Sequence, residues 1–154
     1  MKRILVYGYG NPGRGDDGLG VLCAQKVKRW AEKHFPHAVD VDVNYQLNIE
    51  DAEKISHYDE VIFADASCED IRHFELTPLK PSPDRLEFTM HAVSPAYVLH
   101  LCWELFGKGP KAGLLHIRGY AWEMKEGLSP KAKQNLEEGC QAIIQLLTNH
   151  LSDN

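Results

Sequence analysis

The sequence predicts an α/β sandwich, a three-layer arrangement in which a mostly parallel sheet carries helices on both faces. Two segments signal such a sheet: "RILVYG" (Arg3 to Gly8) and "EVIFADAS" (Glu60 to Ser67) are short, apolar and without alternation, as strands covered on both faces are. The third observation is order. Helical periodicity separates the strand-like runs, giving β-α-β-α-β, an irregular stretch, then α-β-α, and parallel strands in that order need right-handed crossovers that place helices on the sheet faces. A chain of 154 residues with 44% apolar content suits one core, so residues 1–154 are read as a single domain.

Each element has its own justification. From Gly18 to about His34, Leu19, Leu22, Cys23, Val27 and Trp30 recur at steps of three and four. Lys26, Lys28, Arg29 and Lys33 crowd the later turns, where cations suit the helix dipole, and Pro36 stops the helix. "VDVDV" (Val39 to Val43) alternates with period two, as a strand near a sheet edge does. Ile49 to Ser56 reads as a short helix. Prolines 78, 81 and 83 break "FELTPLKPSPDRLEF", leaving room for a short strand and a loop. "SPAYVLHLCWELF" (Ser94 to Phe106) sets Ser at the cap, Pro at the first helical position and Gly107 at the end. A further strand is expected from Gly113 to about Gly119, and "LSPKAKQNLEEGCQAIIQLLTNHL" repeats the Ser-Pro opening before a long amphipathic helix.

Composition narrows the function. A net charge of -5 argues against a general nucleic-acid or anionic-membrane binder, because both need a basic face to displace counterions. A protein or small-molecule partner is expected instead. Cys23, Cys68, Cys102 and Cys140 form no C-x-x-C pair, so neither a zinc knuckle nor a redox motif is written, and free thiols point to a reducing compartment. The apolar run at the N-terminus is about five residues long, too short for a signal peptide or for the roughly 20 residues that span a bilayer. A cytoplasmic location is expected.

The chemistry is sought at one end of the sheet. In open α/β sheets, ligands sit beyond the carboxyl ends of the strands where strand order reverses, here between the first and third strands. The loop "GYGNPGRGDDGLG" (residues 8 to 20) leaves the first strand there with Asp16 and Asp17, and Asp65 ends the third strand at the same edge. Asp16 is expected to cap the helix that follows. Asp17 is then left over, and two adjacent anions repel unless a cation or donor offsets them. Carboxylates alone favour Mg²⁺ or Ca²⁺, and an added imidazole shifts the preference toward Zn²⁺, Ni²⁺ and related ions. Of eight histidines, His91 stands out, in the loop "TMHAVSP" before a helix, with His100 two turns inside that helix; His116 falls within an expected strand.

Two rival readings fit less well. "GYGNPG" formally satisfies the dinucleotide fingerprint G-x-G-x-x-G, yet Asp16 and Asp17 set two negative charges where phosphates would lie, and Pro12 removes a donor. A phosphoacceptor receiver domain also gathers acids near its first and third strands, but it needs a lysine just after the last strand, and "RGYAWEMKEG" offers only Lys125, several residues late.

The loop "GYGNPGRGDDGLG" resembles the N-terminal motif of the hydrogenase maturation endopeptidases, which trim the C-terminal tail of the nickel-iron hydrogenase large subunit. "VIFADAS" is similar to that family's second acidic motif, "YQLNIEDA" to its middle segment and "HAVSPAYVL" to its histidine-and-helix region. The resemblance implies that Asp17 and Asp65 contact metal. Some members carry the histidine directly after the Ser-Pro pair, where this chain has Ala96, and others three residues before that pair, which is His91 here; the resemblance assigns His91, with His100 in reserve. It further implies that nickel is supplied by the substrate precursor, that the three side chains recognise it, and that the peptide is cut near its C-terminus as metal and acids polarise the scissile carbonyl or a water. The loop glycines would give the tail's backbone close access, and Asn11 would hold the loop or donate to the peptide. No G-x-S-x-G, catalytic-cysteine signature or H-E-x-x-H is present to support another protease class. A non-catalytic protein of the same fold that binds a metal-loaded partner is the alternative.

Overall fold

A computed structural model describes residues 2–84 and 93–152. Its elements are β1 (Ile4–Tyr9), a 3₁₀ turn (Gly15–Gly18), α1 (Leu19–His34), β2 (Val39–Asn44), α2 (Asp51–Ile55), β3 (Glu60–Ser67), β4 (Phe74–Leu79), α3 (Pro95–Phe106), β5 (Lys111–Arg118) and α4 (Pro130–Ser152). The strands form one sheet in the order β2-β1-β3-β5-β4, parallel except for β4, which runs antiparallel to β5 at the edge. The alternating strand β2 is the opposite edge, as its one wetter face requires. Strand order reverses between β1 and β3, which fixes where a ligand crevice forms.

Each face of the sheet has its own core. Ile4, Val6, Ile62, Ala64, Leu115 and Ile117 pack under α1 and α4, while Leu5, Tyr7, Val61, Phe63 and Ala112 pack under α2 and α3. The split follows from the period of two along each strand, and burying a Leu or Ile side chain fully contributes about 1.5–3 kcal/mol. Ser94 caps α3, its hydroxyl oxygen accepting from the Tyr97 amide at 3.1 Å, and Gly107 closes the helix in the left-handed conformation at φ 66°. The helix expected over Ile49 to Ser56 is shorter, Asp51–Ile55.

One contact decides where the first loop lies. A Cβ on Gly20 would stand 2.3 Å from the Ala64 carbonyl oxygen and 2.7 Å from that of Tyr9, and a Cβ on Gly8 would stand 2.2 Å from the Gly20 carbonyl oxygen. Helix α1 therefore begins pressed against β1 and β3, with no side chain between. Both edges of the crevice are close-packed backbone for that reason. No helix among the described residues is long and apolar enough to cross a membrane.

Candidate active site

The two adjacent aspartates of the first loop part company at once. Asp16 is fully buried. Its carboxylate accepts from the amides of Tyr120 (2.7 Å), Ala121 (2.9 Å) and Ser129 (2.8 Å), and from the Ser129 hydroxyl (2.7 Å). This corrects the expectation that Asp16 caps α1, whose start carries no side-chain cap. The carboxylate instead ties the first loop to the loop after β5 and to the start of α4, across more than a hundred residues of chain. Burial alone would raise its pKa, but the Ser129 hydroxyl and the three amides override that and hold it below 3.8.

Asp17, one residue on, is half-buried and turned the other way. Its carboxylate accepts one hydrogen bond, from the Asn11 amide at 2.8 Å, while the Asn11 side-chain oxygen accepts from the Gly13 amide at 2.9 Å. The loop is thus folded onto its own acid. Asp65 lies two residues before the end of β3, on the face that carries α2 and α3, with Tyr9 at the end of β1 as a hydrogen-bonding neighbour. Its pKa is raised from 3.8 to about 7. Burial is the main cause and the charge of Asp17 a further one, opposed by hydrogen bonds from the Tyr9 hydroxyl and the Ala66 amide. Tyr9 is pushed well above the usual tyrosine range by burial, by the Asp65 charge and by that same hydrogen bond.

The structure therefore brings Asp17 and Asp65 into one electrostatic neighbourhood at the strand-order reversal. His91 lies outside the described residues. His100 is half-buried on α3, its ring centroid 5.9 Å from that of Tyr97. Among the described residues no three His, Cys, Asp or Glu side chains converge as a metal cage.

Sequence reasoning missed two neighbours of Asp65. Tyr9 falls in the glycine-rich loop as the sequence is read, and only the extension of β1 to Tyr9 sets it beside the third strand. His116 is the partner of Asp65 in the β3–β5 register, on the same face of the sheet, and Glu75 on β4 is the next residue in that row. The signal was present in part, since both His116 and Asp65 fall within expected strands, but only the pairing register aligns them.

The loop glycines are also constrained by the fold. Three of them have a packing reason of their own: Gly10 (φ 134°) faces the Asp17 carbonyl, Gly15 (φ 55°) the Ala121 carbonyl and Gly18 the Pro12 ring. A groove lined by Gly10, Pro12, Val21, Val43, Asn44 and Tyr45, about 290 Å³ in volume, flanks this loop on the β2 side.

Comparison with solved structures supports the same architecture. The chain is similar to the hydrogenase maturating endopeptidase HybD from E. coli, with 21% identity over 97% of this chain and 94% of that one and a TM-score of 0.72. The [NiFe] hydrogenase maturation protease HycI from Thermococcus kodakarensis matches with 24% identity over 96% and 93% of the two chains, TM-score 0.72. A solution structure of an endopeptidase from Escherichia coli matches with 22% identity over 99% of each, TM-score 0.72. No protein-family model and no curated protein matches the chain. The fold is that of the hydrogenase maturation proteases.

Proposed function

We propose that the chain is an endopeptidase that removes the C-terminal tail of a nickel-loaded precursor of a nickel-iron hydrogenase large subunit. Asp17, Asp65 and His91 are the side chains assigned to recognising the metal, which arrives as part of the substrate. One observation supports the reading: the charge of Asp17 in the first loop helps to raise the pKa of Asp65 on β3, beside the strand-order reversal, where the Tyr9 hydroxyl also bonds Asp65. Two acids so placed repel, and a divalent cation held by a docking partner would offset both the repulsion and the desolvation cost of ionising Asp65.

The protein's own groups have distinct parts in this scheme. Asp17, fixed by the Asn11 amide, offers its remaining lone pairs to the partner's cation. Asp65, with one carboxylate oxygen left free beside the cation, is suited to orient and accept a proton from the water that attacks the scissile carbonyl carbon. The C–N bond then breaks and the tail leaves as an amine after taking up a proton. The matches to proteins named as hydrogenase maturation proteases support this reaction class. No membrane surface and no nucleic acid enters the scheme.

The test is incubation with a purified nickel-containing precursor, with mass spectrometry of the large subunit. Loss of a C-terminal tail, abolished in Asp17→Ala, is the expected outcome. An intact precursor that nonetheless co-elutes with the chain would establish a non-catalytic binding protein instead. Normal trimming by Asp17→Ala would reject the site.

A further inference from the structure

One strand away from the carboxylate crevice, at the same end of the sheet, lies a second feature that the proposed reaction leaves unused. A groove of about 500 Å³ opens between the β3–β4 connection, the end of β5 and the first turns of α4, and Asp70, Arg72, Arg118, Tyr120, Lys131 and Asn135 line it. We infer that this groove binds a carboxylate of the peptide tail. The identity of the occupant rests on the endopeptidase reading; the preference for an anion rests on the groove alone.

The groove is positively charged in a chain of net charge -5. Arg72 and Lys131 have no ion-pair partner among the described residues, and Arg118 has one, Asp70. His73 also lines the groove, but its Nδ1 is 2.7 Å from Glu138. Three cations thus face a single carboxylate. That carboxylate belongs to a side chain 93% exposed, against 30% for Arg118. A surface pair of this kind contributes about 0–1 kcal/mol, so an incoming carboxylate displaces Asp70 at little cost. The contact itself, Arg118 Nη1 to Asp70 Oδ1 at 2.6 Å, shows that a carboxylate fits against this guanidinium.

The cations are also held in place. The Arg118 guanidinium lies 5.0 Å from the centroid of the Tyr120 ring and donates to the Ile71 carbonyl at 3.1 Å, while the Lys131 ammonium lies 5.7 Å from the same ring. Asn135, itself buried, donates to the Tyr120 hydroxyl oxygen at 3.0 Å and to the Arg118 carbonyl at 3.1 Å. The Tyr120 amide is one of the donors held by Asp16. The fully buried acid of the first loop therefore fixes the ring that carries both cations. Preorganised cations lose little entropy on binding, which is what separates a binding groove from a scatter of surface lysines.

Register sets the distance. Arg118 pairs with Ser67, two residues beyond Asp65 on the neighbouring strand. Strand geometry then puts its Cα roughly 8 Å from that of Asp65. An extended peptide spans about 3.3–3.6 Å per residue, and the groove is lined by α4 while Asp65 faces α2 and α3, so the bound carboxylate belongs on the order of three residues or more from the scissile bond.

The test uses the full chain and three acetylated tripeptides: Gly-Gly-Gly with a free C-terminus, the same peptide amidated, and amidated Gly-Glu-Gly. Backbone amide shifts of Arg118, Tyr120, Lys131 and Gln134 are followed by NMR. Saturable shifts with a carboxylate-bearing peptide, absent with the neutral one and weakened about tenfold or more in the Arg118→Gln, Lys131→Gln double variant, are expected. Response to the first peptide alone assigns the chain terminus, and response to the third alone assigns an acidic side chain. No saturable shift, equal shifts with the neutral peptide, or unchanged affinity in the double variant overturns the inference. Precursor trimming separates the two proposals: the double variant raises KM and spares kcat if both hold, whereas carboxylate binding without any trimming leaves the groove standing and removes the endopeptidase reading.

Discussion

Asp16 and Asp17 are neighbours in sequence and opposites in surroundings. Asp16 is buried among four donors that hold it ionised, and Asp17 is half-exposed beside a second acid whose pKa is raised to about 7 in part by its charge. The first arrangement spends a carboxylate on the fold, tying together chain segments more than a hundred residues apart. The second leaves two carboxylates with fewer donors than they can use. Environment alone separates a clamp from a candidate catalytic pair, and each half of the contrast can be broken separately.

The largest effect belongs to the clamp. Asp16→Ala strands the amides of Tyr120, Ala121 and Ser129 in a site that excludes water, and each buried unsatisfied donor costs about 1–3 kcal/mol. A loss of about 3–5 kcal/mol in denaturant unfolding is expected, with precursor trimming reduced only through loss of folded protein. The pH dependence has a definite sign. The folded pKa of Asp16 lies below its unfolded value, so its stabilisation is present above about pH 4 and is lost as pH falls through the folded value. Acid unfolding of the parent should steepen there, and Asp16→Ala should lack that component.

Asp17→Ala acts on function instead. It removes one hydrogen bond, from the Asn11 amide, and also removes the charge that opposes ionisation of Asp65, so its net effect on stability should stay within about 1 kcal/mol. Trimming should fall by about a thousandfold or more, corresponding to about 4 kcal/mol of lost transition-state stabilisation. A variant that trims normally, or that unfolds as readily as Asp16→Ala, erases the distinction between the two aspartates.

Asp65→Asn tests the other partner, and in the free protein it should be stabilising. A carboxyl whose folded pKa is about 7 against 3.8 costs the fold nothing below pH 4; the cost grows as pH rises from about 4 to 7 and is constant above. The variant should therefore match the parent at pH 4 and exceed it by about 1–3 kcal/mol at pH 8, measured by urea unfolding. Equal stability at both values would mean that Asp65 ionises as freely as an exposed acid.

Much of this was legible in the residues. Short apolar runs gave strands β1 and β3, the Ser-Pro openings gave α3 and α4, and alternation put β2 at an edge. That Asp17 and Asp65 share one end of the sheet, close enough for the charge of one to raise the pKa of the other, followed from where ligands lie in open α/β sheets. The role of Asp16 was not legible, because its donors come from Tyr120, Ala121 and Ser129, and no local pattern announces a contact between loops so far apart. His116 stayed hidden for a related reason: strand pairing register, rather than composition, sets it beside Asp65. Local chemistry writes caps and breaks into the sequence, whereas the partners of a buried polar group are written only in the fold.

The smallest expected effect bears on the glycine loop, where the same contrast between packing and access recurs. Gly10, Gly15 and Gly18 lie against backbone or ring atoms at 2.1 to 2.8 Å from a hypothetical Cβ, so substitution there should damage the fold whatever the loop does for a substrate. Gly13 is different: its only close neighbour is the Asn11 side-chain oxygen at 3.2 Å, and its φ lies outside the region that disfavours L side chains. Gly13→Ala should change stability by less than about 1 kcal/mol, since the strain of moving Asn11 is offset by the smaller entropy of the unfolded chain. If the loop glycines serve packing alone, trimming by Gly13→Ala proceeds at close to the parental rate. A selective rise in KM with unchanged stability would show instead that a peptide backbone passes over Gly13, restoring at that one position the access expected for the whole loop.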